Sequence, residues 1–269
     1  MAHGARRIGF VVIAAGAALA AGCGGGGTTA SPDAAVDAAG DGPGAIDAGP
    51  DAAGARFSFF VTSLATMRLQ AGSQDGFGGN LGGLAGADAI CQRAAADQGF
   101  GDRTWRAFLS VARGPGGGPV HAIDRIGAGP WYDRLGRLIA LDRAGLLQQR
   151  PAGDPVAVSD MADETGAGTR SFGDTHDIMT GSNQQGMLDG VDATATCGDW
   201  TSAVGPGSEN KVRAGHSWPA MSGMHWIMAH RLPGCAPGVR LTITPPGEQG
   251  NTVGGQGGWG GIYCFALTP

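Results

Sequence analysis

Residues Asn80–Ala95 read NLGGLAGADAICQRAA, a glycine-rich approach to a short helix that carries one cysteine. Leu84, Ala87, Cys91, Ala94 and Ala95 fall at helical spacing on one side. Asp88, Gln92 and Arg93 fall elsewhere, and Gly99 stands where such a helix would stop. The helix is therefore amphipathic, with Cys91 turned toward a core. The preceding stretch Gly72–Gly83, GSQDGFGGNLGG, holds six glycines and reads as a loop open to backbone conformations that other residues resist. What Cys91 is bonded to decides how the chain is closed.

On either side of this helix the pattern is strand-like. FSFFVTSL, from about Arg56, begins sharply and is rich in aromatic and β-branched residues, which predicts a first strand. TWRAFLSVA, Thr104–Ala112, predicts another, with Trp105, Ala107, Leu109 and Val111 on one face and Phe108 on the other. Residues 130–150 predict a short strand and a helical turn. From Gly153 onward, short apolar runs are separated by Gly, Pro, Asn and Ser, with no helix longer than two turns. The folded part is thus a loop-rich mixture of short helices and strands, without internal repeats.

The N-terminal fifth is of another kind. Arg6 and Arg7, an apolar run from Ile8 to Ala21 and small residues before Cys23 form a secretory signal, too short to span a membrane. Leu19-Ala-Ala-Gly-Cys23 resembles a bacterial lipobox, although the leucine stands four residues before the cysteine instead of three. That resemblance implies cleavage after residue 22 and acylation of Cys23. Gly24–Gly54 carries five aspartates, no basic residue and almost nothing large enough to bury, so residues 23–56 are expected to be a lipidated acidic tether. Removing Arg6 and Arg7 takes the formal charge of −5 to −7, which argues against a nucleic-acid partner.

After Cys23 the chain has Cys91, Cys197, Cys235 and Cys264. An even number in an exported protein predicts two disulfides, for which three connectivities exist. No two of these cysteines are close enough in sequence for a zinc ribbon.

GNLGGLAGADAICQRAA, TWRAFLS, GSNQQGMLDGVDATATCGDWTS and IYCFA together resemble two related families. One is a domain of unknown function common in bacterial surface lipoproteins; the other is the endostatin domain of collagens. The resemblance covers about residues 57–269, more loosely from Gly205 to Gly258. It implies an α+β, C-type-lectin-like fold, with short helices, a twisted and mainly antiparallel sheet, and two nested disulfides. In that arrangement Cys91 pairs with Cys264 and Cys197 with Cys235.

Sugar-binding lectins of this fold hold calcium with Glu-Pro-Asn or Gln-Pro-Asp and Trp-Asn-Asp triplets, and none of these occurs here. No cofactor is therefore implied. Calcium stays open only through the oxygen donors Asp199, Glu209 and Asn210. His216, His225 and His230, with Asp199 upstream, have imidazoles suited to zinc, but spacings of nine and five residues do not place them on one helix face. No metal ligand set is assigned, and the zinc site of endostatin is not carried over because its N-terminal histidines are lacking. There is no GxSxG turn, and GHSW, Gly215–Trp218, resembles the GGSW of the formylglycine-generating enzymes without their catalytic cysteine pair. No catalytic residue is assigned.

Trp105, Trp200 and Trp226 are expected in the core, whereas Trp218 and Trp259 stand in Gly/Pro-rich loops and are candidates for exposure. The expectation is an envelope lipoprotein on the outer membrane or cell surface. Its domain is expected to bind a glycan or protein without catalysis, through the loops around Asp199, Trp200, Glu209, Asn210, Trp218 and Trp259. The alternatives are a structural or adhesive envelope component and, more distantly, a divergent enzyme.

Overall fold

Nine consecutive buried residues, Gly258–Ala266, form the last strand, and the other elements are arranged around it. The computed structural model describes residues 54–204, 212–219, 223–242 and 250–267. In chain order these form β1 (Phe59–Val61), α1 (Leu64–Ala71), α2 (Gly83–Asp97), β2 (Trp105–Ala107), β3 (Trp131–Tyr132), β4 (Leu138–Ala140) and α3 (Arg143–Leu146). Then follow β5 (Asp177–Met179), β6 (Arg213–His216), β7 (His230–Arg231) and β8 (Gly258–Ala266). Three short 3₁₀ turns lie between them, at Ala122–Asp124, Thr169–Phe172 and Ala193–Thr196. The fold is α+β, with few and short helices.

The main sheet runs β1-β8-β5-β6-β7, and β2 also pairs with β8. All its pairings are antiparallel except β5 with β8. Cys264 lies between two partners, Phe60 of β1 and Ala107 of β2. Because side chains alternate along a strand, Ile262, Cys264 and Ala266 enter one apolar cluster with α2. Tyr263 and Phe265 enter a second one, with Phe108, Trp131 and Trp226. β8 is therefore buried on both faces.

Helix α2 follows the predicted span and buries Ala87, Ile90, Cys91, Ala94 and Ala95. Its exposed-side Asp88 is also tied down. Arg125 donates to both of its carboxylate oxygens, Arg106 to Oδ2 and the Ala107 N–H to Oδ1, which clamps α2 to β2. The strand predicted over Thr104–Ala112 is shorter: β2 ends at Ala107, where the Leu109 N–H turns back to the Ala107 carbonyl. Helix α1 is not predicted by the sequence pattern. Ser63 caps it through Thr66 N–H, and Glu164 accepts from Ser63 N–H, Ser63 Oγ and Thr66 Oγ1. Burial raises the pKa of Glu164, against the pull of those hydroxyl donors.

Cys91 is bonded to Cys264 and Cys197 to Cys235, with Cα–Cα separations of 5.5 and 5.7 Å. This is the pairing that the family resemblance implies. The second bridge starts from a left-handed turn, Cys197–Trp200, with φ of 49° at Cys197, 64° at Gly198, 59° at Asp199 and 66° at Trp200. Such a conformation costs roughly 1–2 kcal/mol for each non-glycine residue. Gly79 lies against it, where any Cβ would overlap the Cys197 sulfur.

The two bridges enclose 173 and 38 residues of sequence separation. Replacing both Cys91 and Cys264 by Ala is expected to lower the unfolding free energy by about 5 kcal/mol in the chain-entropy picture. For Cys197 and Cys235 the figure is about 4 kcal/mol, reduced by relaxation of the left-handed turn. Urea denaturation of the two double variants measures both, and the first should be the greater loss.

Candidate metal centre

The residues expected to bind a ligand divide sharply. Glu209 and Asn210, like Cys23, lie outside the described residues. Asp199 is engaged by protein: its carboxylate accepts from the N–H groups of Ala112 and Arg113, at 2.7 and 3.0 Å, and from Thr196 Oγ1. It locks the left-handed turn. Trp200 is fully buried and donates its indole N–H to the Ser110 carbonyl. Trp259, expected to be exposed, is buried at the start of β8 and donates to the Thr62 carbonyl. Neither ring offers a face to a sugar or a partner. Trp218 is half-buried and borders a cluster of titratable side chains.

That cluster is assembled by strand register. In the pairing of β5 with β6, Asp177 stands opposite His216, and in that of β6 with β7, Ala214 stands opposite His230. Asp177, His216 and His230 thus emerge on one face of the sheet. His176 precedes β5. The N–H groups of both His176 and Asp177 are donated to the carbonyl of Gly257, whose φ is 126°. A Cβ at Gly257 would meet the Asp174 carbonyl and the His176 ring, so the glycine makes room for the imidazole.

The geometry converges on one carboxylate oxygen. His230 Nε2 lies 2.9 Å and His176 Nε2 3.5 Å from Asp177 Oδ1. The side chain of Asp177 is 0% exposed, against 13% for His176 and 25% for His230. Neither oxygen of Asp177 has a hydrogen bond among the described residues, nor has Nδ1 of His230. His230 Nε2 stands at ion-pair distance from Asp177 Oδ1. One ligand atom from each of His176, Asp177 and His230 lies within 4.8 Å of the others.

Asp174 supplies the outer support. His176 Nδ1 is 3.1 Å from Asp174 Oδ1, and donation there leaves the Nε2 lone pair facing Asp177. The ring of His216 stacks on that of His176 at 4.1 Å and 15°, and Trp218 meets both rings edge-on, at 4.9 and 5.3 Å. Burial, with the charges of His176 and His230, pushes His216 down to about 3, so it is neutral. Burial also works against charging His230, but the adjacent Asp177 carboxylate outweighs it and holds the pKa above its ordinary value.

Two imidazole nitrogens and one carboxylate oxygen suit zinc and its first-row divalent neighbours. Calcium, which takes six to eight oxygens, is poorly served. The grouping of His216, His225, His230 and Asp199 considered from sequence is only half realised. His225 instead borders a shallow cavity of about 520 Å³ with Gln148, Gln149, Gln184 and Gln185. Its Nδ1 accepts the Ile227 N–H. His176 and Asp177 were not candidates from sequence. They stand far upstream of His216, and the only local signal is a His-Asp pair at the entrance to an apolar strand.

Compared with known proteins, the chain matches no family model and no curated protein. The chemistry of the site therefore has to be read from its own residues.

A buried carboxylate destabilises the metal-free fold wherever the imidazole beside it, here His230, is not charged. Asp177→Asn is expected to stabilise the chelator-treated protein by about 1–3 kcal/mol at a pH where His230 is neutral, and by less where His230 is charged and pairs with the carboxylate. Urea unfolding in the presence of a chelator measures this, and a loss of stability would mean that the carboxylate is already satisfied.

Proposed function

We propose that the protein is an exported, lipid-anchored envelope component whose C-type-lectin-like domain binds a divalent transition metal at His176, Asp177 and His230. Its task is binding, not turnover. The observation that carries the reading is the Asp177 carboxylate, fully enclosed, with neither oxygen hydrogen-bonded among the described residues and with two imidazole nitrogens turned toward it. Its only charge partners among the described residues are those imidazoles, and a buried carboxylate with imidazole neighbours is the arrangement that a metal ion completes.

Several features support the remainder of the proposal. The basic and apolar start, Leu19–Cys23 and the acidic residues after it fit a signal, an acylated cysteine and a spacer that holds a domain off a membrane. The outer membrane or cell surface is the address that this combination suits. The mixed architecture and the nested pairing of Cys91 with Cys264 and Cys197 with Cys235 fit the lectin-like fold of the families that the sequence resembles. Two bridges also suit an oxidising compartment.

Metal-stripped full-length protein in detergent should take up one zinc ion per chain. At a free concentration of a hundred times Kd, zinc should stabilise the fold by about 2.7 kcal/mol. Asp177→Asn and His230→Ala should each abolish uptake, and calcium should have no effect. Equilibrium dialysis with metal analysis, paired with thermal unfolding, decides this, and absence of uptake by the wild type rejects the proposal. Separately, Cys23→Ala should move the protein from the detergent phase to the aqueous phase in a partition assay, and retention in detergent would reject the lipid anchor.

A further inference from the structure

We infer that the metal centre is an open, three-donor site whose remaining coordination position takes a carboxylate of the recognised ligand, so that the cation itself is the contact through which the domain binds. This rests on the assignment of a metal to His176, Asp177 and His230. The three donors found among the described residues leave a tetrahedral ion one position short, which is the arrangement of zinc sites that work on exogenous ligands and not of structural ones.

The residue best placed to close the site is His216, and its orientation prevents it. Its ring lies nearly parallel to that of His176, 15° apart with centroids at 4.1 Å. Nitrogen lone pairs lie in the plane of an imidazole, so two stacked rings aim theirs within two nearly parallel planes, and an ion in the plane of one ring lies out of the plane of the other. His216 also stands outside the group whose ligand atoms lie within 4.8 Å of one another. It supports the His176 ring from behind. Trp218 does the same from the side, presenting an edge to both rings and donating its indole N–H to the Thr175 carbonyl.

Burial shows where the open position faces. Asp177 is closed off at 0% side-chain exposure, whereas His176 and His230 keep 13% and 25%. The exposure that the three donors retain therefore lies on the two imidazoles and not on the carboxylate.

Charge selects the class of donor. A divalent ion with one carboxylate and two neutral imidazoles keeps one net positive charge in poorly hydrated surroundings, where a single anionic oxygen is the best complement. Asp174, hydrogen-bonded to His176, adds a second negative charge just outside the ligand set and weighs against dianions such as phosphate, while Arg213, felt at His230, and Arg170, over the Trp218 ring, keep the wider surroundings open to a monoanion. A carboxylate, carried by an acidic sugar or by a peptide, meets both conditions.

Cobalt(II) as a spectroscopic substitute for zinc tests this on the full-length chain in detergent. Cobalt alone should give the visible absorption of a low-coordinate site at one ion per chain, and Asp177→Asn should remove it. Absence of these bands in the wild type would reject the metal assignment itself. With the bands present, acetate should shift them saturably, while chloride and phosphate at equal ionic strength should not. Bands that respond to neither acetate nor imidazole would show a closed site and overturn the inference. A response to imidazole or phosphate but not to acetate would overturn the carboxylate class. His216→Phe, which keeps a stacking ring, should keep both the bands and the acetate response, and loss of the bands in a variant with native circular dichroism would make His216 the fourth ligand.

Discussion

The strand Gly258–Ala266 is paired along both edges and covered on both faces, and the rest of the domain depends on that burial. Its alternation sends Cys264 into the cluster that contains α2, where it meets Cys91, and sends Tyr263 and Phe265 into the opposite cluster. The ends of the domain are thus joined by hydrogen bonds and by a covalent bond at the same place. A strand buried on both sides has no room for error in register, because a shift by one residue would exchange the two clusters and withdraw Cys264 from Cys91. The disulfide and the alternation specify the same register, and such agreement between levels allows a loop-rich, glycine-rich chain to have one structure.

The second bridge performs a different task. Cys197, Asp199 and Trp200 all hold positive φ, a conformation that side chains disfavour. What holds them is a set of contacts distant in sequence: Ala112 and Arg113 on the Asp199 carboxylate, Ser110 on the Trp200 indole, and Cys235 on Cys197. The aspartate and tryptophan that sequence reasoning put forward as ligand contacts are absorbed in fixing this turn. Loops carry function when a scaffold frees them, and this loop belongs to the scaffold.

The extent to which the sequence was legible follows the range of the interactions. Helix α2 was visible because its apolar residues repeat along a single segment, and the presence of two bridges followed from an even count of cysteines in a chain whose sequence reads as exported. The pairing came only through family resemblance. Helix α1 was hidden because LATMRLQA has little apolar periodicity and is capped with the help of Glu164, about a hundred residues away. Trp259 was misjudged for a related reason. Its glycine neighbours look like a loop, yet Gly258 and Gly261 are small because Asp177 and the Trp259 indole approach β8 closely there. The candidate metal centre was least legible. His176 and Asp177 join His230 through the order of β5, β6 and β7, and no spacing within the chain encodes that order.

The same register explains how an unfavourable site persists. Asp177 is held by main-chain pairing with His216 on one side and Gly258 on the other, and its own N–H shares the Gly257 carbonyl with that of His176. The backbone has no freedom to turn the carboxylate toward water. Burial of a carboxylate faced only by imidazoles is then a cost carried by the strands around it, which are secured through β8 to the two apolar clusters. Local rules of folding are broken in this way where a site must be ready before its ligand arrives, because donors already aligned lose little freedom on binding. A cation entering between His176, Asp177 and His230 would gain both the coordination energy and the relief of that burial. On the proposed reading, the buried carboxylate would disfavour the metal-free protein and favour the loaded one through a single structural cause.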